Sequence, residues 1–189
     1  MNVIERAIDW AIHFQGTVEM PKNSNRGVII DDIQKSFGFI GVSYCALFVL
    51  YCYKRACAFA GVKYPFPDAG DKNYSPASSQ SLFQWAIKNG YAETDFSKLN
   101  IGDIVIWRKM KLWQGHVGLV TSVDQEHKTF MTIEGNTSNS DFGDQREGGG
   151  IYQRLRYMRQ TDFVVDAFYL RGFISVRKVF PNEDTNKIV

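Results

Sequence analysis

The chain has 189 residues, 44% of them hydrophobic and 14% aromatic, which is the composition of one globular domain that can bury its own core. Its net charge is +2, and no basic run is interleaved with aromatics, which argues against nucleic acid as a partner. The longest apolar run, around residues 46–53, is too short to span a bilayer, so no membrane partner is expected either.

Residues 3–14 read as an amphipathic helix, with Ile4, Ala7, Ile8, Ala11 and Ile12 on one face and Gly16 as its stop. Glu5, Arg6 and Asp9 interrupt the apolar stretch that a secretory signal needs, so the chain is expected to be made without one. Residues 20–27 read as a loop, and 28–37 allow a short helix ahead of Gly38 and Gly41. Ser43 is the expected N-cap of a helix over 44–60 that stops at Gly61. Cys45, Phe48, Val49, Cys52, Ala56, Phe59 and Ala60 follow helical spacing, and Leu47, Leu50 and Tyr51 make its other sides apolar, so this helix should be central and buried. All three cysteines, Cys45, Cys52 and Cys57, fall on it. Cys45 and Cys52 are then roughly 10 Å apart along the axis, whereas a disulfide needs Cα atoms within about 7 Å. Neither neighbouring pair suits a bridge, and free thiols are expected.

A Pro-, Gly- and Asp-rich loop over 62–76 precedes a second amphipathic helix, which carries Leu82, Phe83, Trp85, Ala86 and Ile87 and stops at Gly90. The period then changes. Residues 103–107, 116–123, 128–134, 151–157 and 167–174 read as strands. Helices first and strands later predict an α+β domain with N-terminal helices packed on an antiparallel sheet, over residues 1–177, followed by a polar tail over 178–189.

Two residues carry the chemistry. A thiol at the start of a helix is where the helix dipole and free backbone N–H groups favour a thiolate, and Cys45 stands there. His116 opens a strand, and Glu134 and Asn136 follow on the next. The turn-like Asp124-Gln125-Glu126-His127 joins these strands as a hairpin. Val117, Leu119, Val123, Met131 and Ile133 are apolar and odd-numbered; if they share one face, His116, Glu134 and Asn136 share the other. A register centred near Glu126 sets His116 almost opposite Asn136 and one pair from Glu134.

This is the logic of a cysteine hydrolase: Cys45 as nucleophile, His116 as acid and base, and Glu134 on the other ring nitrogen, with Asn136 a second candidate for that role. The Cys45 backbone N–H is the expected oxyanion donor, and Ser43 and Tyr44 are both open as the source of a second. Tyr44, Trp113 and Tyr152 are the candidate substrate-binding residues, while Trp107 fits core packing at least as well as a groove. Cys52 and Cys57 read as structural, His13 as packed on its helix and His127 as exposed in a turn. Arg108, Lys109 and Lys111 read as a solvated loop, and none of these is assigned a site.

Four segments in order carry a resemblance. Tyr44-Cys45-Ala46-Leu47-Phe48-Val49 is similar to the start of the nucleophile helix of the CHAP family, the cysteine, histidine-dependent amidohydrolases/peptidases that cut peptidoglycan. Gly102-Asp103-Ile104-Val105-Ile106-Trp107 resembles that family's Gly-Asp strand, and Gly115-His116-Val117-Gly118-Leu119-Val120 its histidine strand. Ile133-Glu134-Gly135-Asn136-Thr137 resembles the segment with its third and fourth active-site positions. Weaker echoes at 16–19, 25–27 and the Gly-rich stretch before Ile151 extend the likeness over 4–174.

The resemblance implies a papain-like fold and an amidase or endopeptidase, with peptidoglycan peptide as substrate and an immunity or delivery protein as a further candidate partner. Some phage-derived members carry a calcium loop with Asp-x-Asp spacing; Asp31-Asp32 lacks that spacing, so no metal and no cofactor is expected. Nothing in the chain is long enough for the separate wall-binding module of many members, so delivery outside the general secretory route, or lysis, is expected to bring it to the wall. Two rival readings keep the fold: a non-catalytic wall-binding or toxin-neutralising module, and a papain-like hydrolase of another amide.

Overall fold

The computed structural model describes residues 1–67, 70, 74–109, 113–139, 148–159 and 168–182. Helices α1 (Val3–Phe14), α2 (Val28–Lys35), α3 (Cys45–Ala60) and α4 (Ser79–Lys88) come first. A two-residue strand β1 (Ala92–Glu93) and a 3-10 turn (Phe96–Lys98) lead to β2 (Ile104–Lys109), β3 (Gly115–Asp124), β4 (Thr129–Thr137), β5 (Gly150–Tyr157) and β6 (Phe168–Ile174), and a short helix α5 (Val176–Val179) follows. The strands pair antiparallel in the order β1-β6-β2-β3-β4-β5. This is the α+β, papain-like arrangement of N-terminal helices packed on an antiparallel sheet.

Local chemistry sets the helix limits. Asn2 and Glu5 form a reciprocal capping box at the start of α1. The buried stripe of α1 is Val3, Ile4, Ala7, Ala11 and Phe14, so Ile12 falls just off it and is 55% exposed. His13 is likewise exposed, with its ring edge against Trp10 rather than packed in the core. The central helix α3 is apolar on every side and ends where Gly61 takes a left-handed φ of 67°. Its start differs from expectation: Tyr44, not Ser43, is the N-cap, and no side chain caps the first turn. Cys45, Cys52 and Cys57 are all unbridged.

The sheet has two apolar faces. Ile104, Ile106, Val117, Leu119 and Ile133 pack with α1, α3 and α4, while Val105, Trp107, Val120, Phe130, Leu170 and Phe173 form a second cluster. Leu119 pairs with Ile133 and Val120 with Thr132, the register centred on Glu126. A bulge between Val120 and Ser122 then shifts the pairing, so Val123 packs with the second cluster and not with Val117 and Leu119.

The Gly102-Asp103 pair is a joint. Gly102 has a φ of 90°, and a Cβ there would run into the Ile4 side chain. Its carbonyl accepts the Tyr53 hydroxyl at 2.6 Å, which ties α3 to the entry of β2. The buried Asp103 carboxylate accepts the backbone N–H of Asn100 at 2.8 Å and of Val176 at 3.0 Å, which docks α5. The chain therefore stays folded past residue 177: Val179 and Phe180 are buried, and the Phe180 ring stacks on Tyr53. Removing both acceptors strands the buried Val176 N–H and the half-buried Asn100 N–H, and a buried one typically costs about 1–3 kcal/mol. Asp103→Ala should lower the unfolding free energy by about 2–4 kcal/mol in urea titration, and Asp103→Asn, which keeps one acceptor, should lose less.

Candidate active site

Three glycines let the elements close around one point. Gly135 on β4 receives the first turn of α3: a Cβ there would meet Phe48 Cβ at 2.9 Å and Tyr44 Cδ2 at 3.2 Å. Gly118 on β3 leaves room for Glu134, whose Cγ would lie 2.9 Å from a Cβ at that position. Gly115 at the start of β3 is pressed by Ser79 and Gln80 of α4 and by the Trp107 carbonyl. The Gln80 amide also donates to that carbonyl at 2.8 Å, fixing the start of α4 beside the strand.

Cys45 is 4% exposed and lines a cleft of about 250 Å³ with Val42, Ser43, Ser78, Ser79, Trp113 and Gly115. His116 is buried behind it. Its Nε2 meets the Glu134 carboxylate at 2.8 Å, which leaves Nδ1 as the ring nitrogen for the nearby Cys45 sulfur, whose electrostatic influence reaches the ring.

Glu134 is fully buried and has a full set of donors. The Thr132 hydroxyl donates to Oε1 at 2.5 Å, and the Arg156 guanidinium spans both oxygens, from Nε to Oε1 at 2.8 Å and from Nη2 to Oε2 at 2.5 Å. Such a two-pronged ion pair holds a carboxylate in a fixed plane. Arg156 in turn lies over the Trp107 ring, 5.4 Å from its centroid, and the Trp107 and His116 ring centroids are 5.9 Å apart.

The charges follow from this packing. Burial opposes the charged imidazole, but the Glu134 carboxylate and the Cys45 thiol outweigh it and push His116 up to about 9. Burial likewise opposes the Glu134 carboxylate, yet Arg156 and His116 hold it well below the usual carboxylate range. The site is a thiol, an imidazole that keeps its proton at neutral pH, and a carboxylate fixed as an anion. That set can hold one proton beside a nucleophile, give it up to a leaving group and take one back from water.

The structure brings Cys45, His116 and Glu134 together. Asn136 goes elsewhere, because its φ of 55° and a register shift between Glu134 and Thr137 break the strand alternation. It lines a second cavity with Glu19, Lys22, Asn23 and Asn25, and it is Glu134 that occupies the ring nitrogen.

Of the three expected substrate contacts, Trp113 is 74% exposed and lines the cleft. Tyr44 is a correction: it is 0% exposed, packed on Gly135, and forms part of the wall rather than a contact surface. Tyr152 pairs with Glu134 across β4 and β5, and it is not among the residues that line the Cys45 cleft. Trp107 is core. Arg108 and Lys109 belong to β2, and Lys111 lies outside the described residues.

Sequence reasoning missed Thr132 and Arg156. The available signal was the alternation Arg154, Arg156 on a strand next to the one carrying Glu134, where a buried carboxylate needs a countercharge. No group of three or more His, Cys, Asp or Glu placed to hold a metal occurs among the described residues, and Asp31 is taken by Arg26 at 2.8 Å.

Comparison with known proteins places this geometry. The family profile of the CHAP domain matches residues 37–136, over half of the chain, and the match contains Cys45, His116 and Glu134. No curated protein matches the chain.

The His116 imidazole should titrate near 9 by NMR, and Glu134→Gln should move that titration to lower pH. The stabilisation that this pair gives is complete above the ordinary Glu value of 4.5 and below the ordinary His value of 6.5, and it is lost as pH rises through about 9. Arg156→Met leaves the carboxylate buried without its main partner and should cost about 3–5 kcal/mol of stability in urea titration.

Proposed function

The chain belongs to the CHAP family, and on that basis we propose that it is a peptidoglycan-directed cysteine amidase or endopeptidase acting through Cys45, His116 and Glu134. The observation that carries the reading is the imidazole held between a thiol at a helix start and a buried carboxylate. CHAP domains are generally hydrolytic, and this triad supplies every proton transfer that amide hydrolysis needs.

The reaction runs in two halves. With the proton held on His116, the Cys45 sulfur attacks the amide carbonyl carbon to form a C–S bond. The oxyanion is met by the Cys45 backbone N–H at the start of α3, where the N-cap Tyr44 side chain makes no capping bond. Ser43 lines the cleft whereas Tyr44 is buried, so Ser43 is the better placed of the two candidates for a second donor. The C–N bond then breaks, and the imidazolium gives its proton to the departing amine. In the second half His116 removes a proton from water and keeps it, the hydroxide adds to the thioester carbon, and the C–S bond breaks to release the carboxylic acid and the sulfur.

Throughout, Glu134 accepts from Nε2–H and keeps Nδ1 towards the sulfur, while Arg156 and Thr132 keep Glu134 in place. Trp113, at the mouth of the cleft, offers a ring face to the peptide on one side of the scissile bond. No helix among the described residues is long and apolar enough to cross a membrane. On the hydrolase reading the enzyme meets the wall after lysis or delivery. An immunity or delivery protein is the partner this route calls for.

Purified protein should release peptides and new amino groups from sacculi but not from casein, and mass spectrometry of the fragments will name the bond. Cys45→Ala and His116→Ala should each abolish release. Full activity in Cys45→Ala would overturn the mechanism. The rate should fall as pH rises through about 9, where His116 loses the proton it gives to the amine, and Glu134→Gln should bring that fall to lower pH.

A further inference from the structure

The second cavity, about 480 Å³, is lined by Glu19, Lys22, Asn25, Asn136, Ser138 and Gly149 among others, and two of these, Glu19 and Asn136, adjoin Tyr44 next to the nucleophile. Its lining is unlike that of the cleft. Glu19 is only 5% exposed, and the segment that carries it is tied to the sheet: the Glu19 N–H donates to the Gly149 carbonyl at 2.8 Å, and Val18 bridges to Gly150. One carboxylate oxygen accepts the Asn25 N–H at 3.0 Å.

Neither Glu19 nor Lys22 makes an ion pair among the described residues, with each other or with another side chain. A nearly buried carboxylate without a countercharge is costly, and here an uncommitted ammonium stands on the same cavity without closing on it. The amide side chains of Asn23, Asn25 and Asn136 supply both donors and acceptors around the two charges.

We propose that this cavity is a substrate subsite for a free amino-acid centre, one carbon carrying both an ammonium and a carboxylate, with Glu19 taking the ammonium and Lys22 the carboxylate. The proposal rests on the hydrolase reading for its substrate class: the unlinked end of a diamino-acid residue in a wall peptide presents such a centre. Tyr44 connects the two places. Its ring packs on Gly135, its hydroxyl lies beside Glu19, and the next residue is the nucleophile. A peptide anchored by its zwitterionic end in the second cavity thus passes the Cys45 sulfur on its way to Trp113. Substrates with that end already cross-linked are poorer, so the enzyme selects uncross-linked stems.

Calorimetric titration of the inactive Cys45→Ala protein tests this without turnover. The probes are a stem tripeptide ending in diaminopimelate and the same peptide N-acetylated or amidated at the free centre. Each cap should weaken binding about tenfold, the usual weight of one charge-assisted contact. Adding Glu19→Gln should erase the difference between free and acetylated peptide, and adding Lys22→Met the difference between free and amidated peptide.

Equal binding of free and capped peptides, or no binding of any, overturns the inference. So does a loss in Glu19→Gln that weakens all three peptides alike, which is what a purely structural Glu19 would give; Lys22 is exposed, so its variant keeps the test open if Glu19→Gln fails to fold. Discriminating binding combined with no hydrolysis of sacculi by the unmutated protein supports the subsite and sinks the hydrolase reading alone. Hydrolysis without discrimination sinks the subsite alone.

Discussion

A carboxylate buried at 0% exposure is the constraint around which this molecule is arranged. Taken out of water, Glu134 needs its charge matched and its lone pairs filled, or it protonates and stops orienting the imidazole. Arg156, Thr132 and His116 fill those positions, and each comes from a different place on the sheet: β5, β4 itself and β3. The apolar groups nearby are arranged to permit this. Gly118 gives up a side chain to make room, and Trp107 shields the guanidinium while backing the His116 ring. The candidate active site is thus the middle of the sheet rather than an attachment to it.

The α3 start shows the opposite choice, stability forgone for chemistry. A Ser, Thr, Asp or Asn cap typically contributes about 1 kcal/mol by accepting a first-turn N–H. Here the N-cap is Tyr44, which offers no such acceptor, although Ser43 is one residue away. The N-cap side chain takes none of the first-turn N–H groups beside the sulfur. What holds the helix end is packing of Phe48 and Tyr44 on Gly135, so position is fixed by contact and the backbone donors remain for a ligand.

Helix and strand periods are legible in the sequence because burial enforces them. The α1, α3 and β3–β4 assignments rest on periods that the core then uses, and residue parity with a Glu126-centred register is enough to set His116 and Glu134 on one face. What is illegible lies where the alternation breaks. The bulge near Thr121 moves Val123 to the other face, and the left-handed Asn136 leaves the strand pattern that would align it with His116. Both breaks are local backbone events with no hydrophobic signature. Tyr44 misleads in another way: its place beside the nucleophile suggests contact with substrate, but the glycine that receives its ring is far away in sequence. The α5 dock, made by Asp103 accepting from Val176, is likewise a long-range contact that periodicity does not record.

The outermost long strand carries one further result of this arrangement. On β5 the buried positions include Arg154 and Arg156, while Gln153, Leu155 and Tyr157 face outward. Charged side chains turned inward on a border strand, like the two-residue β1 at the opposite border, are devices by which sheet proteins deter unwanted strand addition from neighbouring molecules. The guanidinium that anchors the Glu134 carboxylate therefore also helps keep crowded copies of the protein apart.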